Sequence, residues 1–426
     1  MRLIKHICLA IALILTIVSC ARQEKKLTIV LGGAPSEVKY LESLIGDFSR
    51  KSGTEVSVIR QPTDSDQRRQ GLLIPLKAGE ADPDVFLMDV VWVGQFAASG
   101  WLLPLQEYMK EDGFDSSIFF SSVFDRADTF RGAVVALPVY VDTGIMFYRK
   151  DILDKYGLDL PANWLGLIDI ARKVQEKERS SNGAFYGYVW QGAQYEGLVC
   201  NFIEISSAYG GCIINENGKV SLKSPENIAA LEQMIALISD NGISPPNTFT
   251  EMKEEESRIF FQNGNALFER NWPYAWRLHE SDGSPVKGKT GIMPLPVGPS
   301  GHRASALGGW HVGISRSSDL PEEAWELVKF LVSREVQRSL CLELGWNPGR
   351  KDLYEDPDIA ARIPHIAVLK TAFESSVARP SAPFYTHISE IVQKYINAAL
   401  SRNMTAQEAL SAAQKEVERI MTLYNE

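Results

Sequence analysis

No set of nucleophilic, basic or metal-ligating residues in this chain has the spacing of a reaction centre. Gly-x-Ser-x-Gly, Gly-x-Gly-x-x-Gly and His-Glu-x-x-His are all absent from the 426 residues. Each of these motifs places a nucleophile, a phosphate or a metal ligand by its spacing. His279, His302, His311, His365 and His387 stand apart, so each reads as a structural or surface histidine. With no Cys-x-x-Cys pair or Cys/His cluster, no catalytic residue, metal or cofactor is expected. The tryptophans are more informative. There are nine, and Trp272 sits with Tyr274 in the polar run Glu269-Arg270-Asn271-Trp272-Pro273-Tyr274, while Trp310 follows Gly308-Gly309. A pyranose ring has an apolar face of C–H groups and a rim of hydroxyls. Flat aromatic rings match the face, and carboxylates or guanidinium groups satisfy the rim. A buried hydroxyl left unpaired costs on the order of 1–3 kcal/mol, so the polar partners need placing as carefully as the rings. The combination points to a carbohydrate cleft. Trp101, Trp164 and Trp325 lack such settings and read as core.

The elements that must hold these residues follow an α/β pattern. Leu27 to Leu31 reads as a strand, followed by the turn Gly32-Gly33-Ala34-Pro35-Ser36 and a helix with Val38, Leu41, Ile45 and Phe48 on one stripe. Val56 to Ile59 and Val85 to Met88 read as further strands, with Asp89 just beyond the second, where α/β crevices open. Val134 to Val139 is expected to be another, carrying Pro138 and running into Asp142-Thr143-Gly144. Helices are expected from Trp164 to about Glu178, from Pro225 with Ser224 as its cap, and from Pro321 to about Val332. Thr405 and Glu408 have capping-box spacing before a last helix. Unbroken apolar strands alternating with helices imply a mostly parallel sheet.

Length allows two or three domains at roughly 150 residues each. No long Gly/Ser or Pro-rich linker separates them, so the connections would be short. The net charge of -9 gives no electrostatic reason to bind a nucleic-acid backbone. Arg2, Lys5 and the apolar run Ile7 to Val18 read as an export signal, too short to span a bilayer comfortably. Ser19-Cys20 resembles a bacterial lipobox, which would make Cys20 the lipidated first residue of the mature chain. Cys200, Cys212 and Cys341 read as unpaired, with a Cys200–Cys212 bridge as the local alternative.

The order of segments resembles the extracellular sugar-binding proteins of bacterial and archaeal ABC importers, nearest their trehalose/maltose-binding branch. The residues that carry it include GGAPSEVKY at 32–40, TDSDQRR at 63–69, DPDVFLMDV at 82–90 and ALPVYVDTGIMFYRKDIL at 136–153. WQGAQYEGLVCNF at 190–202, FFQNGNALFERNWPYAW at 260–276, LGGWHVGIS at 307–315, LGWNPGR at 344–350 and RPSAPFYTHISEIVQKY at 379–395 complete it. The resemblance implies a periplasmic-binding-protein-like α/β fold, two lobes with a cleft, joined by three crossing segments. After a signal peptide at 1–19, it assigns residues 20–140 with 293–345 to one lobe and 141–292 with 346–426 to the other.

It also implies site residues. Glu37, Asp89 and Asp142 would accept hydrogen bonds from sugar hydroxyls, with Tyr140 beside Asp142 at a crossing. Arg69, or its neighbour Arg68, would reach the sugar rim. Trp272 and Tyr274 would line one ring, Trp310 would stack on a second, and Gly308 and Gly309 would let the backbone approach. Arg379 would pair with hydroxyls or with a binding carboxylate, and Trp346 and Arg350 would either reach the cleft or brace a crossing. The implied function is capture of an α-glucoside disaccharide such as trehalose or maltose. A monomeric, lipid-anchored protein, periplasmic or at the cell surface, would deliver it to ABC permease transmembrane subunits. Two other classes stay open: a secreted glycoside hydrolase with Asp142 and Glu269 as its carboxylate pair, and a sugar receptor that signals through a membrane partner.

Overall fold

The computed structural model describes residues 26–363, 366–380 and 382–425. The expected signal segment 1–19, Cys20 and His365 lie outside the described residues. Among those described, no helix is long and apolar enough to cross a membrane.

The parallel part of the first sheet comes from the first three strands. β1 (Leu27–Gly32), β2 (Val56–Gln61) and β3 (Val85–Asp89) lie in the order β2–β1–β3, with α1 (Pro35–Ser52) and α2 (Ser65–Ala78) as crossovers. Every β1 residue is buried, which is why the strand reads as a nearly continuous apolar run and not as an alternation. Val38, Leu41, Ile45 and Phe48 do form the buried stripe of α1.

The chain continues through β4 (Leu137–Thr143), β5 (Ile145–Arg149), α3 (Trp164–Glu178), β6 (Tyr186–Val189), α4 (Glu196–Ala208) and α5 (Pro225–Ile238). Then come α6 (Glu254–Gln262), β7 (Ala266–Asn271), β8 (Thr290–Met293), β9 (Ser305–Ile314), α7 (Pro321–Leu331) and α8 (Arg334–Leu344). β10 (Ser376–Val377), α9 (Tyr385–Leu400) and α10 (Ala406–Asn425) end it, with shorter turns between. Ser224 caps α5 by accepting from the Asn227 backbone N–H at 3.2 Å. Thr405 and Glu408 close the reciprocal box before α10, at 2.9 and 3.2 Å.

β9 extends the first sheet, antiparallel to β3 on one side and β4 on the other, and β10 pairs in parallel with its first residues. The second sheet has the order β8–β5–β7–β6, and only β6 and β7 run parallel. The first sheet is therefore mixed, with three of its five strand pairs parallel, and the second is mostly antiparallel. The antiparallel partners β4, β5, β8 and β9 are the strands that flank the passages between sheets, so returning chain direction sets their sense.

Two lobes result, each with its own core. Leu27, Ile29, Val85, Leu137, Val312 and Trp325 pack together in the first, and Met146, Leu167, Phe202, Leu231, Phe268 and Val392 in the second. Trp164 and Trp325 are buried in these cores, and Trp101 is half-buried against Phe96. The chain first changes sheet at Gly144, the single residue between β4 and β5, and returns between β8 and β9. Residues 346–350 then run beside β4, where the Val141 N–H donates to the Asn347 carbonyl at 3.0 Å. Beyond them Leu353, Ile359 and Ile366 pack with Ile145 and Phe147 of the second sheet.

The expected strand from Val134 starts at Leu137 and runs through Thr143, so Tyr140 and Asp142 are strand residues. Pro138 has no N–H to give, and the β4–β9 register shifts opposite it, pairing Tyr140 with Trp310 but Pro138 with His311. Glu269 likewise lies inside β7 and not at a strand end.

A buried ion pair fixes the Gly144 passage. Arg270 of β7, fully buried, is held by both carboxylate oxygens of Glu204 in α4, and Glu204 also accepts from the Ala306 N–H of β9 at 3.0 Å. A Cβ on Gly144 would overlap Glu204 Oε1 and lie 2.6 Å from Arg270 Nη2. Gly144→Ala is expected to cost on the order of 3 kcal/mol, because it separates a buried pair without replacing either charge. Urea denaturation read by circular dichroism checks this, and an unchanged midpoint would contradict it.

Candidate functional site

Between the two sheets lies a cavity of about 340 Å³ whose wall comes from both lobes. Its central polar feature is Arg379, which is 5% exposed and follows β10. Arg379 Nη2 donates to Asp89 Oδ1 at 2.8 Å, and Nη1 to Glu196 Oε1 at 2.9 Å. Asp89 is the last residue of β3 in the first lobe, and Glu196 opens α4 in the second. Glu196 also accepts from Tyr385 at 2.7 Å and from Ser389. Burial works against the guanidinium charge, but Asp89 and Glu196 outweigh it and hold the Arg379 pKa well above its ordinary value.

Three further carboxylates on the wall lack such a partner. Glu37, in the first turn of α1, accepts from the Ala34 N–H at 2.7 Å and from Trp346 Nε1 at 2.8 Å. Asp142 accepts from Asn347 Nδ2 at 2.9 Å, and Glu254, at the start of α6, accepts from Trp272 Nε1 at 3.4 Å. Burial raises all three pKa values, most strongly for Asp142, where the Glu37 charge adds to it.

Two ring–guanidinium stacks face this polar floor. The Arg68 guanidinium sits 3.3 Å from the Trp310 ring centre, and Trp92 meets Trp310 edge-on at 5.2 Å. Arg270 lies 4.2 Å from the Trp272 ring. Tyr140 and Trp346 form a third aromatic pair, with centroids 4.1 Å apart, and Tyr274 donates to Glu255 at 2.7 Å. Gly308 gives Trp272 its place, since a Cβ there would lie 2.9 Å from the ring. Gly309 has φ of +132°, and a Cβ would come 2.6 Å from the Tyr140 carbonyl. Both glycines are thus required by packing around the rings.

Glu37, Asp89, Tyr140, Asp142, Trp272, Tyr274, Gly308, Gly309, Trp310 and Arg379 all line this one cavity. Arg69 does not. Its guanidinium points out to Glu390 of α9 at 2.6 Å, and Arg68 occupies the wall instead. Adjacent residues of a helix point about 100° apart, so only one of the two can face the cavity. Trp346 reaches the wall, whereas Arg350 turns away to Asp352 at 3.0 Å. Glu269 is fully buried against His279 at 2.8 Å and Asn271 at 2.6 Å, off the wall, so it forms no pair with Asp142 across the cleft. Cys200, Cys212 and Cys341 are unpaired, and burial pushes the Cys341 thiol up to about 12.

Sequence reasoning missed Glu196, Glu254 and Lys253. The signal available for Glu196 was a carboxylate opening an otherwise apolar helix, where a solvated acid would be expected on one face only.

A family model for bacterial extracellular solute-binding proteins matches residues 34–338. The chain belongs to this family. Its members capture solutes for ABC importers and are non-catalytic, which removes the hydrolase reading. A probable ABC transporter-binding protein of Deinococcus radiodurans is 34% identical over 88% of each chain. Maltose-bound T. maritima MalE3 is 40% identical, with a TM-score of 0.88 over 93% of this chain and 99% of that one. A Thermotoga lettingae solute-binding protein holding α-D-tagatose is 28% identical, with a TM-score of 0.84 over 93% of this chain and 99% of that one. The likeness covers both lobes of this solute-binding protein, so its fold is that of the periplasmic binding proteins, with the cavity in their cleft.

The two arginines can be told apart in the ligand-free binding protein. Arg68→Ala should shift its tryptophan emission, because a cation is removed from 3.3 Å above Trp310. Arg69→Ala should leave the emission where it was, and an equal shift in both variants would contradict the placement.

Proposed function

We propose that the cleft captures an α-glucoside disaccharide of the maltose or trehalose type and delivers it to the transmembrane subunits of an ABC permease. The observation that carries this reading is the pairing of Trp272 and Trp310 with the buried acceptors Glu37, Asp89 and Asp142 in one small cavity. At about 340 Å³ it lies at the lower end of small-molecule sites, about 300–1,000 Å³, which suits two sugar rings better than a long oligomer. The maltose held by the 40% identical T. maritima relative supports the same ligand class. The α-D-tagatose in the 28% identical relative marks the nearest competing reading, a single monosaccharide.

In this reading, residues 20–140 with 293–345 and 141–292 with 346–426 are bodies that swing together around three crossings. Sugar contacts both walls only in the closed form, and that differential contact shifts the equilibrium. The carboxylates act as acceptors, so neutral polyols with many donors are favoured and anionic sugars are repelled. The protein would work as a monomer held to the membrane through lipid on Cys20.

Titration of intrinsic fluorescence with maltose, trehalose, sucrose, glucose and tagatose tests the reading. Saturation by an α-glucoside disaccharide at lower concentration than by the monosaccharides is expected. Trp272→Ala should weaken that binding at least about tenfold, roughly 1.4 kcal/mol. A flat response to every sugar, or a clear preference for tagatose, would overturn it.

A further inference from the structure

A second set of contacts joins the lobes beside the ligand cavity, all from the N-terminal end of α2. Asp64, its N-cap, pairs with Lys253 of the second lobe. Arg69 reaches Glu390 of α9 at 2.6 Å, and Asp66 accepts from Gln393 of the same helix at 3.4 Å. One helical turn of the first lobe therefore docks across the cleft onto the second, and this contact exists only while the lobes are together.

Asp66 is the anomalous member. Its own helix brings Asp64 and Arg69 near it, but Arg69 is engaged by Glu390 and Asp64 by Lys253. From α4 it faces the Glu196 carboxylate, and from α9 it meets the neutral Gln393, whose amide also donates to Ser389 at 2.9 Å. Ser389 in turn donates to Glu196. The helix start favours a charged Asp66 through the backbone dipole. Burial opposes it, Glu196 and Asp64 add repulsion, and together they push the carboxyl up to about 7.

Resting on the reading of this cleft as one that closes, we infer that Asp66 takes up one proton as the lobes meet, so that ligand capture is linked to proton binding. With the lobes apart, Asp66 loses Glu196 and α9 as neighbours and returns to an ordinary carboxyl that is ionised at neutral pH. Its pKa is raised in the closed form. Closure is therefore favoured below pH 7 and loses that support as pH rises through 7. Ligand affinity should fall roughly tenfold from pH 6 to pH 8 through this group alone.

The test compares wild type with Asp66→Asn, which keeps the shape and removes the charge. Calorimetric titration of maltose at pH 6 in two buffers of different ionisation enthalpy counts protons. Wild type should take up close to one proton more than the variant. This difference separates Asp66 from Glu37, Asp142 and Glu254, which titrate in both proteins. Small-angle scattering of the ligand-free proteins reads closure without any sugar, so it stands even if maltose does not bind. Wild type should be more compact at pH 6 than at pH 8, while Asp66→Asn and Asp66→Ala should be alike at both. Equal proton counts, or an equal response of size to pH in wild type and both variants, would overturn the inference.

Discussion

The meeting of the two lobes turns on one buried cation held between a carboxylate from each. Asp89 and Glu196 are each carried by an element end, one closing β3 and one opening α4, and among the described residues neither has another cation within hydrogen-bonding distance. Brought together alone, they would repel across a poorly solvated gap. Arg379 lets them share a site, and it can do so because β10 pairs with Ser305 and Ala306 just before it. A buried ion pair is weak evidence for net stability, since desolvation consumes much of the attraction. Its value here is geometric. A guanidinium that must satisfy two carboxylates on different lobes accepts few relative orientations of those lobes.

The same reasoning explains why charge is packed behind the aromatic platforms. Arg68 against Trp310 and Arg270 against Trp272 cover one face of each indole with a planar cation. A ring held this way presents a fixed surface, and little side-chain freedom is lost when a ligand lies on the wall beside it. Arg270 is itself tied down by Glu204, which also binds the β9 backbone, so the platform, the Gly144 crossing and the second lobe are one braced unit. The glycines at 308 and 309 belong to this bracing as much as to the ligand wall.

Much of the fold could be read locally. Apolar runs located β1 and β3, the stripe of Val38, Leu41, Ile45 and Phe48 located α1, and Ser224-Pro225 fixed the start of α5. These features are decided by burial and capping within a few residues. The antiparallel strands were not legible, because their sense follows from where the chain re-enters a sheet after more than a hundred residues. The site divides in the same way. Trp272, Trp310 and Asp89 stand in local settings that already mark them, whereas Glu196 owes its role to Arg379, 183 residues away. Arg68 and Arg69 were indistinguishable because one residue of helical phase decides which faces the cavity, and flanking composition does not set phase that finely.

A cleft built this way carries polar groups that the protein itself does not satisfy. Among the described residues, Arg68 Nε and Arg379 Nε are buried with no hydrogen-bond partner, in a wall where Glu37, Asp142 and Glu254 are raised above ordinary carboxylates by burial. Each unmet buried group costs on the order of 1–3 kcal/mol, a cost that solvation would relieve if the lobes separate as proposed. A ligand rich in hydroxyls supplies donors to the carboxylates and acceptors to the guanidinium nitrogens at once. In the proposed motion it would therefore favour the closed form by more than its contacts with either lobe alone, the differential affinity such a clamp requires. Polar groups left over by the protein's own packing are thus not a defect of it. In the proposed clamp they would weigh against closure on water alone and add to the gain from a ligand with the matching hydroxyls.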